Sequence, residues 1–196
     1  MTEYLFVLGK NWILSLAELI VALEDLRLDF TVKDNSRTSV VIEAAHEFSD
    51  SELVDLQAQL GGCFKTGRVV ASYEIRSVIR AFPRTGKVHM EEREMLGKCS
   101  WLPRVWSRPT RARIKFGVST YPGKDSPVDL TRLTLGLDEF IKKRLSEMGA
   151  EKAVYYAYEG PDRRKPSRPN TALWPQTIAT HDLLSPPNAE ILAALT

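Results

Sequence analysis

The residues of this 196-residue chain with the clearest chemical potential are basic, and they come in clusters. Arg108, Arg111, Arg113 and Lys115 approach and enter a strand candidate. Lys142, Lys143 and Arg144 fall together late in a helix candidate, and Arg163, Arg164, Lys165 and Arg168 occupy a proline-rich stretch. Guanidinium and ammonium groups gathered this way neutralise phosphates and release condensed counterions, which is polyanion binding rather than bond-breaking chemistry. Each cluster taken alone also suits a solvated surface, and Lys142 and Lys143 suit the negative end of their helix.

Residue patterns for catalysis are missing by comparison. His46, His89 and His181 have no metal-ligand spacing with one another or with a cysteine. Cys63 and Cys99 are isolated; they can form one bridge, but two free thiols are the commoner state in a reducing compartment. There is no Gly-x-Ser-x-Gly, no Gly-x-Gly-x-x-Gly and no Walker lysine loop. Gly61-Gly62 ahead of Lys65 has the composition of a phosphate cradle, but a helix stop followed by a strand lacks the strand-to-helix turn that aims amides at an anion. Ser185-Pro186-Pro187-Asn188 contains the Pro-Pro of amino-group methyltransferases with the wrong residue at each end, because Ser185 cannot hold the target amine and Asn188 has no ring to stack. The expectation is a chain without metal or cofactor and without catalysis of its own. A site assembled by the fold near His89 or His181 is the minority alternative.

The elements that would position the basic groups form two sets. Tyr4–Leu8 reads as a buried strand. Ser15 and Glu18 have capping-box spacing ahead of the apolar stripe Leu16, Leu19, Ile20, Leu23 and Leu26, which predicts a helix. Phe30–Lys33 and Ser39–Glu43, separated by Asp34-Asn35-Ser36, predict a hairpin. Ser49 and Glu52 repeat the capping box before Leu53, Val54, Leu56 and Leu60; Gly61-Gly62 stops that helix, and Lys65–Tyr73 reads as a strand. The order β-α-β-β-α-β is that of a split βαβ, so a ferredoxin-like unit is expected over residues 1–76.

Residues 77–109 break the pattern with Pro83, Gly86, Gly97, Pro103 and Pro109 and read as a connector with room for short strands. Its Trp101 and Trp106 can stack on bases, although plugging apolar space is the commoner role for such residues. From residue 110 a second unit begins. Ile114–Tyr121 alternates as a strand. Ser126, Pro127 and Asp129 signal a helix start before the stripe Leu130, Leu133, Leu137, Phe140, Ile141, Leu145 and Met148, which Gly149 ends. Ala153–Tyr158 is a further strand, Gly160–Asn170 an exposed loop, and Trp174–Leu184 a helix. Ile191–Leu195 is a last strand or a terminal helical turn. The fold class is α+β.

The net charge of +2 conceals a partition. Residues 1–60 carry 4 Lys/Arg against 11 Asp/Glu, and residues 61–196 carry 23 against 14. A basic second part joined to an acidic first part assigns a polyanion to the second. With 43% hydrophobic residues the chain can build real cores. No apolar run approaches the length of a membrane span and the first residues lack a signal peptide's basic flank, so a cytoplasmic location and no membrane partner are expected.

Leu8-Gly9-Lys10-Asn11 leading into Leu14–Leu19, then Leu60-Gly61-Gly62-Cys63-Phe64-Lys65, then Phe116–Tyr121 form an ordered set of landmarks. Leu137–Gly149 with Lys142-Lys143, and Asn170–Leu173 through His181-Asp182-Leu183-Leu184, extend it. The set resembles the amino-terminal region of archaeal and eukaryotic-type tRNA guanine-N2 methyltransferases. Asn170-Thr171-Ala172-Leu173 departs from the serine-rich turn of that family. The resemblance implies a ferredoxin-like domain followed by a THUMP-like α/β domain at 110–196. In the family the THUMP domain holds the tRNA acceptor end while a separate Rossmann-like domain binds S-adenosylmethionine and methylates. No such domain is found in the sequence, so the expectation is a module or fragment that binds tRNA or another structured RNA and works with a methyltransferase located elsewhere. The alternative is a protein-interaction or regulatory subunit that docks a methyltransferase. In a THUMP-like arrangement Lys142–Arg144 and the 163–168 cluster would border one groove.

Overall fold

The computed structural model describes residues 1–87, 89–97, 101–105, 113–122, 127–156 and 188–194. The chain is α+β, and its described residues divide into two compact units, the first formed by 1–72 with 121–122 and 194, the second by those between 73 and 120 and between 127 and 193.

In the first unit the order is β1 (Thr2–Leu8), α1 (Trp12–Asp25), β2 (Phe30–Asn35), β3 (Ser39–Ala44), α2 (Asp50–Gln59) and β4 (Cys63–Arg68). The sheet order is β2-β3-β1-β4 with every neighbouring pair antiparallel. β1 and β2 therefore run the same way with β3 between them, and α1 supplies the crossover that two parallel strands need. Tyr4, Phe6 and Leu8 alternate onto the core face beside Val40, Ile42 and Ala44, where Leu19 and Leu23 of α1 and Leu53 and Leu56 of α2 complete the packing. Leu5 and Val7 on the other face of β1 are buried too. Tyr4 is fully buried, and its hydroxyl accepts the Phe48 amide at 2.8 Å. Its ring meets Phe48 edge-on at 5.0 Å.

Two expectations for this unit are corrected. Ser15 and Glu18 do not cap a helix: α1 starts at Trp12, four residues before the Leu16 that a Ser15 cap implies, behind Asn11, which makes no side-chain cap bond. Nothing in Trp12-Ile13-Leu14 resists helical geometry, so the helix extends past the polar spacing until Gly9 and the end of β1 stop it. Ser15 is buried inside the helix, its hydroxyl donating to the Asn11 carbonyl at 3.0 Å. The capping box at Ser49 and Glu52 is present in both directions. The last strand spans Cys63–Arg68 rather than Lys65–Tyr73. β4 lies at the sheet edge beside β1, and antiparallel pairing brings Val69 level with Glu3, whose carbonyl accepts the Val69 amide at 2.9 Å; that bond lies one residue from the start of β1 at Thr2, so a strand reaching Tyr73 would outrun its partner.

The second unit starts with helices where the sequence suggests irregular chain: α3 (Ile75–Ala81), α4 (Met90–Gly97) and α5 (Leu102–Val105). Their brevity hides any periodic stripe. Then come β5 (Arg113–Tyr121), α6 (Leu130–Glu147), β6 (Lys152–Tyr156) and β7 (Asn188–Ala194), with sheet order β6-β5-β7 and β5 parallel to β6. Ile191–Ala194 is thus strand, not a helical turn. α6 begins at Leu130 rather than at Pro127, with Asp129 as the cap accepting the Arg132 amide at 3.0 Å. Val128 is held extended by a bridge to Pro83, and the Asp129 amide donates to the Phe82 carbonyl at 3.0 Å, so tertiary pairing delays the helix. Trp101 is buried and its indole N–H donates to the Tyr73 hydroxyl at 3.2 Å. Ser126, Trp106, the 160–170 loop and the 174–184 helix lie outside the described residues.

Candidate nucleic-acid interface

Alternation along β5 decides where its lysine lies. Ile114, Phe116 and Val118 are buried, while Lys115 is exposed. Thr120 shares the face of the buried residues, and its hydroxyl meets that of Thr134 on α6 at 2.9 Å. The helix therefore covers the even-numbered face and Lys115 stands on the opposite one. Lys142 and Lys143 are exposed on α6. Arg144 is half-buried, paired with Glu147 at 2.8 Å and set over the Phe140 ring at 5.7 Å.

A parallel β-α-β crossover returns the chain to the end where it began. Arg113, the first residue of β5, pairs in register with Lys152, the first of β6, and the last turns of α6 precede Lys152 by a few residues. The structure thus brings Arg113, Lys142, Lys143, Arg144 and the exposed Lys152 to one end of this unit. It does not bring Lys115 to them. Lys152 escapes sequence reading because it stands alone beside Glu151. Arg108, Arg111, Arg163, Arg164, Lys165 and Arg168 lie outside the described residues, as do Cys99, His181 and Ser185-Pro186-Pro187.

The Gly61-Gly62 amides are already occupied. Glu18 reaches across from α1, and its Oε1 and Oε2 accept the Gly61 and Gly62 amides at 2.9 and 2.7 Å. The Gly9 amide donates to the Gly62 carbonyl at 2.7 Å, so the two landmark segments Leu8–Glu18 and Leu60–Cys63 form one junction. A carboxylate fills the place a phosphate would take, and the role is structural. Burial, with the Glu18 charge beside it, pushes the Cys63 thiol up to about 11, which keeps it protonated and unreactive.

A buried carboxyl also escapes sequence reading. Asp138 sits on the packed side of α6, inaccessible to solvent, and neither oxygen has a hydrogen-bond partner among the described residues. Burial, and then the neighbouring Glu139 charge, push it up to about 7. Beside it, Gly136 allows the Phe82 ring to rest on the helix backbone, with Arg93 over that ring at 5.5 Å and paired to Glu139 at 3.6 Å. Among the described residues no group of three His, Cys, Asp or Glu side chains is placed to hold a metal ion, and no helix is long and apolar enough to cross a membrane. No protein-family model matches the sequence, and no curated protein matches it.

Proposed function

We propose that the chain is an RNA-binding module, with tRNA as its ligand class, that positions RNA for an S-adenosylmethionine-dependent methyltransferase supplied elsewhere in a longer chain or by a partner. In this reading the first unit is ferredoxin-like and the second THUMP-like, and neither performs the chemistry. The carrying observation is the charge partition, with 11 acids against 4 bases in the first 60 residues and 23 bases against 14 acids after them. The β2-β3-β1-β4 order and the parallel β5-α6-β6 unit agree with the two fold assignments. The test is binding of a folded tRNA transcript across a salt series. Tight association that weakens linearly in log salt supports the reading. Equal affinity for an unrelated RNA duplex of the same length reduces it to generic polyanion binding.

A specific feature of the first unit favours a second reading, a subunit that docks the methyltransferase. α1 is apolar on its outer side as well as its inner side: Ile13, Leu14 and Val21 are 60, 65 and 54% exposed. Large apolar side chains exposed together on one helix mark an interaction surface, and the acidic residues of this unit suit a basic partner. Leu14→Glu with Val21→Glu would then abolish co-purification of an S-adenosylmethionine-binding chain while sparing RNA affinity. Unchanged co-purification removes this reading.

A further inference from the structure

Residues 75–89 hold four cations, Arg76, Arg80, Arg84 and Lys87, and no carboxylate. Such a run is unusual on a surface where the two signs are ordinarily interspersed. α3 buries Val78 and Ala81, and at about 100° per residue Arg76 and Arg80 point away from Val78 on the solvent side, one turn apart. Gly86, at a φ of +100°, reverses the chain beyond the helix. The His89 amide then donates to the Arg80 carbonyl at 3.0 Å, which folds the turn carrying Lys87 back onto the end of α3.

The turn is also anchored on its other side. The Arg84 amide donates to the Pro127 carbonyl at 3.1 Å, next to the Pro83–Val128 bridge. Arg84, Lys87 and His89 are all exposed. Among the described residues, Arg76, Arg84 and Lys87 have no carboxylate partner, whereas Arg144 on α6 is paired with Glu147.

We infer that this helix and turn form a phosphate-contact site for folded RNA, with Arg76, Arg84 and Lys87 as contacting side chains. The inference rests on the RNA-binding reading and places part of its footprint in the opening helix and turn of the second unit. Two physical reasons carry it. Cations with no internal counter-charge retain their full attraction for phosphate, and a backbone pinned at both ends loses little freedom when the ligand arrives.

The probe is an unmodified full-length tRNA transcript, titrated against wild type and an R76Q/R84Q/K87Q variant over a salt series. The variant is expected to bind about tenfold more weakly near 0.1 M salt, with the slope of log K against log salt shallower by about 2 to 3. Should it misfold by circular dichroism, the single variants R76Q, R84Q and K87Q are each expected to reduce the slope by about 1. Wild-type affinity and slope in folded variants overturn the inference and leave the RNA-binding reading standing. Failure of the wild type itself to bind at low salt overturns both.

Discussion

Glu18 and Gly62 are 44 residues apart in the chain and joined by a 2.7 Å hydrogen bond from the Gly62 amide to the Glu18 carboxylate. The fit leaves no space for a side chain. A Cβ on Gly62 would stand 2.6 Å from the Ser15 hydroxyl and 2.8 Å from the Ser15 Cα. Gly62→Ala must move helix backbone and is expected to destabilise the first unit by about 2–3 kcal/mol. Glu18→Gln keeps one acceptor and turns a donor toward the second amide, at a cost of about 1–3 kcal/mol. Urea unfolding reads both, and a Gly62→Ala midpoint equal to wild type would show that α1 is free to shift.

The second unit has a comparable close approach at Gly136. An added Cβ would run into the buried Phe82 ring, which is a rigid obstacle, unlike the end of a flexible chain. Gly136→Ala is therefore expected to cost about 1–3 kcal/mol even though alanine favours helix. The pair Gly136→Ala with Phe82→Leu should recover part of the loss, a non-additivity that thermal unfolding of the three variants measures.

Asp138 gives the protein a pH dependence of known sign. Burial raises its folded-state pKa from an ordinary 3.8 to about 7, so the native state holds one more proton than the unfolded state between those values. Stability contributed by the protonated form is complete below about pH 4 and is lost as pH rises through 7, by a few kcal/mol in order of magnitude. Asp138→Asn should remove that decline and be the more stable protein at pH 8, with little advantage at pH 4. Parallel denaturation profiles for the two proteins across this range would count against a protonated Asp138.

Lys115 and the Lys142–Lys143 pair lie on opposite sides of the β5–α6 layer, because Thr120 and Thr134 fix which face the helix covers. One rigid RNA helix cannot press on both faces at once. Lys142→Glu with Lys143→Glu is expected to weaken tRNA binding by about tenfold, roughly 1.4 kcal/mol, while Lys115→Glu alters it little. Folding should be nearly unchanged in each, since exposed charges contribute little to stability. Equal losses from the two changes would mean that the RNA wraps around the sheet edge.

Local sequence determined much of this protein. The continuous apolar run Tyr4–Leu8, the alternation in Ile114–Val118, the Ser49–Glu52 box and the long stripe of α6 each involve neighbours a few residues apart, so spacing alone specifies them. The expected footprint was legible only as clusters along the chain. Tertiary structure decided what depends on partners far away in sequence. Ser15 and Glu18 have the spacing of a cap, yet Gly61 and Gly62 supply the amides that Glu18 takes. Pro127 has the look of a first helical residue, yet the pairing of Val128 with Pro83 holds the chain extended for two residues more. Arg113 and Lys152 meet because parallel strands start at the same end, and Asp138 is buried because α6 packs along more of its surface than its apolar stripe marks out. A hydrogen-bonding group takes the best partner the fold presents, and that partner is not written in the residues beside it.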